Sequence, residues 1–480
     1  MEKLTVSVPT SDLYVSAVNF IQTGELERAK RLLELIWHEP EAGVNKDVVA
    51  SALGSIHLKQ GDIDRAIELF NKAVVINPDV PAYRTNLATA FMMRFEPGKA
   101  LSVVESFEDE ADSFLNTLPV EDRDRLITTK ATALNSLKEY DKASEALLEL
   151  DPSKPQNSVY LGMNLMRHSI SPGVGGLNGI YEYRERTKSY KSLIPKGIQN
   201  WWDVLGLSFS LPKELNILLE QGLGDCIMML PDILKTARVL PDLLDLRGKK
   251  KVRVISIDGR HDAFINDIVK SFESETLSGL CLSAEELIGL SGEFVWMFDL
   301  LGFRSHDKYG RDDTDPSEAY IQVNPQIKAL ARQYEGKVGI CWRGNPSHQN
   351  DHWRSAKLSD YHPILWGYEC VSLQMDITPN ELEELKPWET AYWVEKGLIA
   401  LAAIISNLKC VVTVDTAISH LAGAIGVPCI TLLPTNSDWR WGERGEKSIW
   451  YKSHTLLRQE QCGDWSGPID EAVRRVNGIR

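Results

Sequence analysis

Apolar residues recur along this chain with two different periods, and the change between them divides it. In the first part they stand three and four apart, the spacing of helices that bury one face. The segment 47–78 carries Leu53, Gly54, Ala66, Phe70, Ala73 and Pro78. Those offsets fit a 34-residue repeat of two antiparallel helices, with small residues where the helices cross. Gly54 and Ala66 allow close approach, Phe70 fills the space beside them, and Pro78 stops the second helix. One repeat further on, Leu87, Ala88 and Ala100 fall in register. The segments TGELERAKRLLELI and KEYDKASEALLEL align Ala29 and Ala143 with Ala66. The turns TGEL, QGDI and KEYD take equivalent places, while the stretch 105–125 departs from the pattern. A further helical pair is expected over 157–188, broken by SPGVGG at 171–176.

From about Leu215 the period changes. ELNILLE reads as a short apolar strand, QGLGD as a tight turn, CIMMLPDILKTARVL as a helix and KVRVISID as the next strand. RDDTDPSE at 311–318 reads as a polar loop. The alternation then resumes. KVGICW and CVSLQM are strands, LIALAAIISNL a helix, KCVVTVD a strand, TAISHLAGAIG a helix and VPCITLLP a strand. Strand–helix–strand order implies a parallel sheet. Two such units in tandem predict a cleft between them, with ligands held beyond the carboxyl ends of the strands.

Composition narrows the class. With 480 residues and 43% hydrophobic content, two to four domains can each bury a core. The formal net charge of −14 disfavours salt-driven capture of nucleic acid backbones, which calls for a basic face. The seven cysteines form no CxxC pair, and free thiols in a reducing cytoplasm are expected. MEKLTVSVPTSD has no apolar h-region, so no signal peptide is expected. No apolar run approaches the length of a membrane span, and a cytoplasmic location follows as the expectation.

Four groups of residues carry candidate chemistry. In Glu220-Gln221-Gly222-Leu223-Gly224-Asp225, glycines permit a tight strand-to-helix turn and close approach of backbone to a ligand. Asp225 then stands at a helix start, where a carboxylate serves as a base or as a cap. A third glycine of the dinucleotide fingerprint is absent, because Ile227 stands in its place. The second group runs from Trp342 through Arg343, Gly344 and Asn345 to Arg354 and Ser355, directly after a strand. Such a loop suits phosphate or sugar hydroxyls, Arg354 by paired charge-assisted hydrogen bonds. A solvated polar loop is the plainer alternative. In the third, Val414-Asp415-Thr416-Ala417-Ile418-Ser419-His420, a strand delivers Asp415 and Thr416 to a helix start whose free amides suit a pyrophosphate. His420 lies one turn in, where a packed histidine is the commoner outcome. The fourth is Asp438-Trp439-Arg440-Trp441-Gly442. Trp439 and Trp441 either stack on a base or sugar or close a core.

No zinc spacing, HExxH, G-x-S-x-G or Walker loop occurs. The acidic run Asp312-Asp313-Thr314-Asp315 reads as a solvated loop, and no metal site is expected.

The repeats resemble tetratricopeptide (TPR) arrays. The blocks EQGLGDCIMMLPDI, VGICWRGNPSHQNDHWRS, VSLQ, VVTVDTAISHLAGAIGVPCITLLP and DWRWG resemble bacterial TPR-containing glycosyltransferases. Their catalytic part is heptosyltransferase-like and similar in layout to protein O-GlcNAc transferase. YEYRER at 181–186 resembles the helix that joins repeats to catalytic lobes there. The resemblance implies an α plus α/β chain: TPR-like helices over 1–195, an acceptor-side Rossmann-like lobe over 196–330, and a nucleotide-sugar lobe over 331–480, the two lobes forming a GT-B pair. It implies an inverting, metal-independent glycosyltransferase of hexosyl or heptosyl type that needs no cofactor. Asp225 is then the base. Gly222, Gly224, Gly344, Asn345, Arg354, Ser355, Gln374, Asp415, Thr416, Ala417 and His420 bind the donor. Ala417 departs from the family's usual glycine, a change that backbone amides survive.

The partners so implied are a nucleotide sugar and a protein or glycan acceptor. The TPR array favours a peptide or protein, since its concave face suits extended segments. Modified bases of viral DNA are the alternative acceptor, which the acidic charge opposes. Two other classes compete. One is a non-catalytic TPR scaffold with a degenerate transferase half. The other is a dinucleotide-dependent oxidoreductase, which lacks its third glycine.

Overall fold

A computed structural model describes residues 9–38, 44–106, 118–137, 139–150, 214–219, 222–242, 251–257, 259, 261–288, 290, 293–297, 300, 318–346, 351–388, 391–392, 397–442 and 444–479. The chain forms two compact units, Met1–Leu161 and Gly162–Arg480.

The first unit is helical. Thr10–Gln22, Leu26–His38, Lys46–Lys59, Ile63–Ile76, Pro81–Met93, Pro97–Glu105, Val120–Ser136 and Tyr140–Leu148 follow one another as antiparallel neighbours, each packed on the next. The sequence repeat has a direct physical counterpart. Ala29, Ala66, Ala100 and Ala143 are all fully buried, so nothing larger fits at the crossing. A Cβ at Gly54 would sit 2.7 Å from the Phe70 ring. The turns repeat as well. Glu25, Asp62, Glu96 and Glu139 each donate a backbone N–H to the carbonyl five residues earlier, at 2.8, 2.9, 2.9 and 2.9 Å. This closure places a left-handed residue just past the helix end. Gly24 and Gly61 fill that position with φ of 82°, and Phe95 takes it with φ of 61°. Pro81 and Pro97 open their helices, where a missing N–H costs nothing. The helix Val120–Ser136 continues the alternation through the end of the stretch where the repeat pattern fails.

The second unit carries two parallel sheets. Strands β1 (Glu214–Leu218), β2 (Lys251–Ile257), β3 (Leu277–Leu282) and β4 (Glu293–Trp296) form one, in the order β3-β2-β1-β4. Strands β5 (Val338–Cys341), β6 (Cys370–Ser372), β7 (Ala391–Tyr392), β8 (Cys410–Val414), β9 (Cys429–Leu433) and β10 (His454–Arg458) form the other, in the order β10-β9-β8-β5-β6-β7. All its pairings are parallel too. β8 and β9 are buried at every position, which is why they read as unbroken apolar runs. Gly339 in β5 is held small by Leu408 and Leu373, 2.6 and 2.8 Å from where its Cβ would lie. Trp342, Tyr361, Val412, Ile430 and Ile469 fill the core on one side of this sheet.

The strands and helices read from the sequence between Leu215 and Leu433 are all present. The structure adds β3, β4, β7, β10 and the helix Ser466–Gly478, which the apolar pattern left unread. Helix Leu223–Asp242 packs on helix Ala417–Ile425, so the two sheets meet. Tyr320 and Ile321 donate backbone N–H groups to the Ala424 carbonyl, both at 2.9 Å. Helix Pro325–Leu330 lies on helix Leu398–Ile405. The expected helical pair over 157–188, the linker at 181–186, the boundary at 195 and the acidic run at 312–315 lie outside the described residues. All seven cysteines are unpaired, and five of them are buried. Among the described residues no helix is long and apolar enough to cross a membrane.

Candidate functional site

The turn after β1 is built around Asp225. Gly222 donates its backbone N–H to Asp225 Oδ2 at 2.9 Å, the return half of a capping box, in which a third-position carboxylate satisfies the chain entering the helix. The capping reading of Asp225 therefore holds. It is not the whole account, because the other oxygen is spent elsewhere. Arg440 Nε donates to Asp225 Oδ1 at 2.6 Å, and Nη2 also reaches Oδ1. Asp225 is 6% exposed.

The second sheet supplies the facing residues. β8 is followed by Asp415 and Thr416, and the helix Ala417–Ile425 starts with no side chain capping its first turn. The Thr416 hydroxyl is turned to Thr413 Oγ1 at 3.1 Å. His420, one turn into the helix, lies under the first sheet's turn: a Cβ at Gly224 would come within 2.6 Å of its Cδ2. Its ring stacks on Trp441, with centroids 4.9 Å apart and planes 25° apart. Nδ1 lies 2.9 Å from the Tyr451 hydroxyl. Burial, then the Arg440 cation and His454, hold this imidazole well below the usual histidine range, so it is neutral at pH 7.

Arg440 is the centre of the arrangement. Its Nη1 meets Asp438 Oδ1 at 2.5 Å, and its guanidinium lies over the Trp439 ring, 4.7 Å from the centroid. Burial opposes its charge, but Asp225, Asp438 and Asp415 outweigh that and keep it ionised. The Asp415 carboxyl is pushed up by burial and by Asp438, and pulled down less strongly by Arg354 and Arg440. Trp439 and Trp441 are each 2% exposed. Their faces are taken by Arg440, Trp450, His420 and His454. They close a core here, and their rings offer no open stacking surface.

The loop after β5 completes the rim. Gly344 donates its N–H to Ser355 Oγ at 2.9 Å. A Cβ at Gly344 would meet Asp351 Oδ1 at 2.5 Å and Arg354 Nη2 at 2.6 Å, so only glycine lets that pair fold onto the backbone. Arg354 Nε donates to Asp351 Oδ1 at 3.2 Å. Asn345 is exposed, and residues 347–350 lie outside the described ones. Gln374 is 3% exposed. Its amide is spent within the protein: Oε1 accepts from the Arg343 N–H at 3.2 Å, and Nε2 donates to the Arg343 carbonyl at 3.2 Å and to Asp376 at 2.7 Å. It pins the turn that carries Gly344. Arg343, the other cation of this loop, is locked to Glu381 at 2.9–3.0 Å and to Asp376 at 2.6 Å.

The tertiary structure thus brings Gly224, Asp225, Asp415 and His420 into one cluster, with Arg354 close enough to act on Asp415. Arg440, Asp438 and Tyr451 were not singled out as site residues from the sequence. One signal for Arg440 was present: it stands between two tryptophans and two positions after Asp438, a carboxylate able to pair with it. Among the described residues no group of three or more His, Cys, Asp or Glu side chains is arranged to hold a metal ion.

Comparison with known proteins agrees with two parts of the chain. Residues 49–80 match the tetratricopeptide repeat. Residues 383–463 match glycosyltransferase family 9 (heptosyltransferase), a stretch that includes Asp415, His420 and Arg440. No curated protein matches the chain. Similar solved structures include "MamA 41-end from Desulfovibrio magneticus RS-1", 16% identical, covering 39% of this chain and 98% of that one with a TM-score of 0.31. Another is a tetratricopeptide repeat protein from Parabacteroides merdae ATCC 43184, 17% identical, covering 38% and 64% with a TM-score of 0.29. The chain therefore carries a stretch similar to the tetratricopeptide repeat at 49–80 and one similar to glycosyltransferase family 9 (heptosyltransferase) at 383–463.

Proposed function

We propose that this chain is an inverting, metal-independent glycosyltransferase whose two parallel sheets are the lobes of a GT-B fold. One observation carries the reading. Asp225 and Gly224, just beyond the carboxyl end of β1, meet His420 and Arg440, beyond the ends of β8 and β9. Ligands of open parallel sheets bind at such strand ends. The match to glycosyltransferase family 9 over 383–463 supports the same reading.

The chemistry follows from the groups present. A nucleotide sugar lies with its diphosphate on the uncapped amides of Ala417 and Ile418, within reach of Arg354. Those amides carry partial positive charge. The acceptor oxygen attacks the anomeric carbon from the side opposite the diphosphate. Its C–O bond forms as the bond to the diphosphate breaks, and the electron pair leaves with the phosphate. The acceptor proton passes to Asp225. Charge growing on the leaving diphosphate is stabilised by groups already oriented toward it. The acceptor is a protein or glycan, with the TPR repeats engaging the polypeptide partner.

The test is a thermal-shift and hydrolysis screen against UDP-, GDP-, ADP- and dTDP-sugars. A bound donor raises the melting temperature by an amount that grows with the logarithm of its concentration above Kd, and slow hydrolysis of one donor is expected. If no nucleotide sugar shifts the transition or is turned over, the transferase reading fails and a scaffold role takes its place.

A further inference from the structure

His420 has two differently placed ring nitrogens. Its Cδ2 side faces the first sheet's turn, since a Cβ at Gly224 would lie 2.6 Å from Cδ2, with Nε2 at 3.3 Å and Cγ at 3.4 Å. Its Nδ1 faces away, 2.9 Å from the Tyr451 hydroxyl. A neutral imidazole has one nitrogen that donates and one that accepts, so the partner of one decides what the other offers.

Tyr451 is built firmly into that position. It is 1% exposed. Its backbone N–H and that of Trp450 both donate to Ser448 Oγ, at 3.2 and 3.0 Å. Its ring fills space that Gly423 leaves open, where a Cβ would come within 2.4 Å of Tyr451 Cγ. The ring meets His420 edge-on, at 5.8 Å and 65°. An imidazole nitrogen is a stronger acceptor than a phenol oxygen, so the hydroxyl donates to Nδ1.

We propose that Tyr451 is a positioning residue: by donating its O–H to Nδ1 it fixes His420 as the Nε2–H form, with that N–H on the side of the ring away from Tyr451, next to the carbon that faces Gly224. The ligand half of the proposal rests on the transferase reading above. There the Nε2–H is a neutral hydrogen-bond donor to the diphosphate, supplementing the Arg354 cation.

Two readouts test it. The first needs no ligand. Protein with ¹⁵N-labelled histidine carries ten labelled rings, and His420→Gln identifies the one of interest. Wild type is expected to show a protonated Nε2 and a bare Nδ1, and Tyr451→Phe a mixture of both forms. A wild-type ring protonated on Nδ1, or a Tyr451→Phe ring unchanged from wild type, overturns the proposal. Should Tyr451→Phe fail to fold, the wild-type spectrum alone still decides. The second readout is calorimetry with inorganic pyrophosphate, UDP, ADP, GDP and dTDP. Tyr451→Phe should weaken the best of these about 5- to 10-fold, the scale of one hydrogen bond. Unchanged affinity overturns the ligand half while leaving the transferase reading in place. No binding by wild type to any probe, with the tautomer as expected, rejects the transferase reading and the ligand half with it.

Discussion

Arg440 Nε lies 2.6 Å from Asp225 Oδ1, across 215 positions of chain. The pair ties the helix start after β1 to the loop after β9, and both side chains are nearly excluded from water, at 13% and 8% exposed. Two buried charges in contact need each other, because either one alone would keep its desolvation cost without its partner. Removing the cation should therefore be costly: Arg440→Gln leaves Asp225 and Asp438 uncompensated and should destabilise by about 3–5 kcal/mol. In urea titrations, adding Asp225→Asn should recover part of the loss, and a double-mutant cycle gives the coupling. Strictly additive effects would mean that the pair is not formed.

Asp225→Asn separates the base from the cap. The amide keeps an oxygen for the Gly222 N–H but no longer takes a proton. Transfer should fall about 10²- to 10⁴-fold, the usual worth of a general base, while donor affinity by calorimetry stays within a few-fold. A variant with wild-type turnover would leave Asp225 as a cap and an ion-pair partner of Arg440, with no part in proton transfer.

Glycine contacts give stability predictions in both units. Gly224→Ala drives a methyl to 2.6 Å from His420, and Gly54→Ala one to 2.7 Å from Phe70. Each should cost about 1–3 kcal/mol through overpacking, read as a lower denaturation midpoint. Gly98→Ala meets nothing within 4 Å and should be neutral or stabilise the helix by roughly 0.5 kcal/mol. Equal effects at all three positions would contradict these contacts.

Acid should destabilise the second unit through groups that include the buried His454 and the half-buried Glu381. Burial pushes His454 down to about 3, below its unfolded value near 6.5. Its neutral form is favoured in the fold, so that stability is complete above about pH 6.5 and is lost as pH falls toward 3. Glu381 is opposed by burial, but Arg343 and the Thr378 and Trp342 donors outweigh this and hold it at about 2. Its share is present above the unfolded value near 4.5 and disappears as pH falls through 2, on the order of 3 kcal/mol. Glu381→Gln should flatten the stability profile below pH 4.5 and leave its slope between pH 5 and 7 unchanged. An unaltered acid limb in that variant would rule out the Glu381 contribution.

The sequence by itself determined the elements and their order. Small residues at equivalent places in successive repeats can only be satisfied by helix pairs that cross closely, as the buried Ala29, Ala66, Ala100 and Ala143 do. Apolar runs such as KCVVTV and VPCITLLP can only be strands covered on both faces. Period and local burial are properties of neighbouring residues, so they are legible without the fold. Short strands such as β3, with its interrupted apolar pattern, gave too little periodic signal to be read. What the tertiary structure alone decided is who faces whom. Gln374 and Trp439 look like ligand-facing groups along the chain, yet the first is spent on the Arg343 turn and the second lies beneath Arg440. Arg440 reads along the chain only as the cation of a tryptophan cluster and Tyr451 is not read at all, yet they hold Asp225 and His420. A polar side chain's role depends on which partner satisfies it once water is excluded, and here that partner stands 31 positions away for His420 and 215 for Asp225.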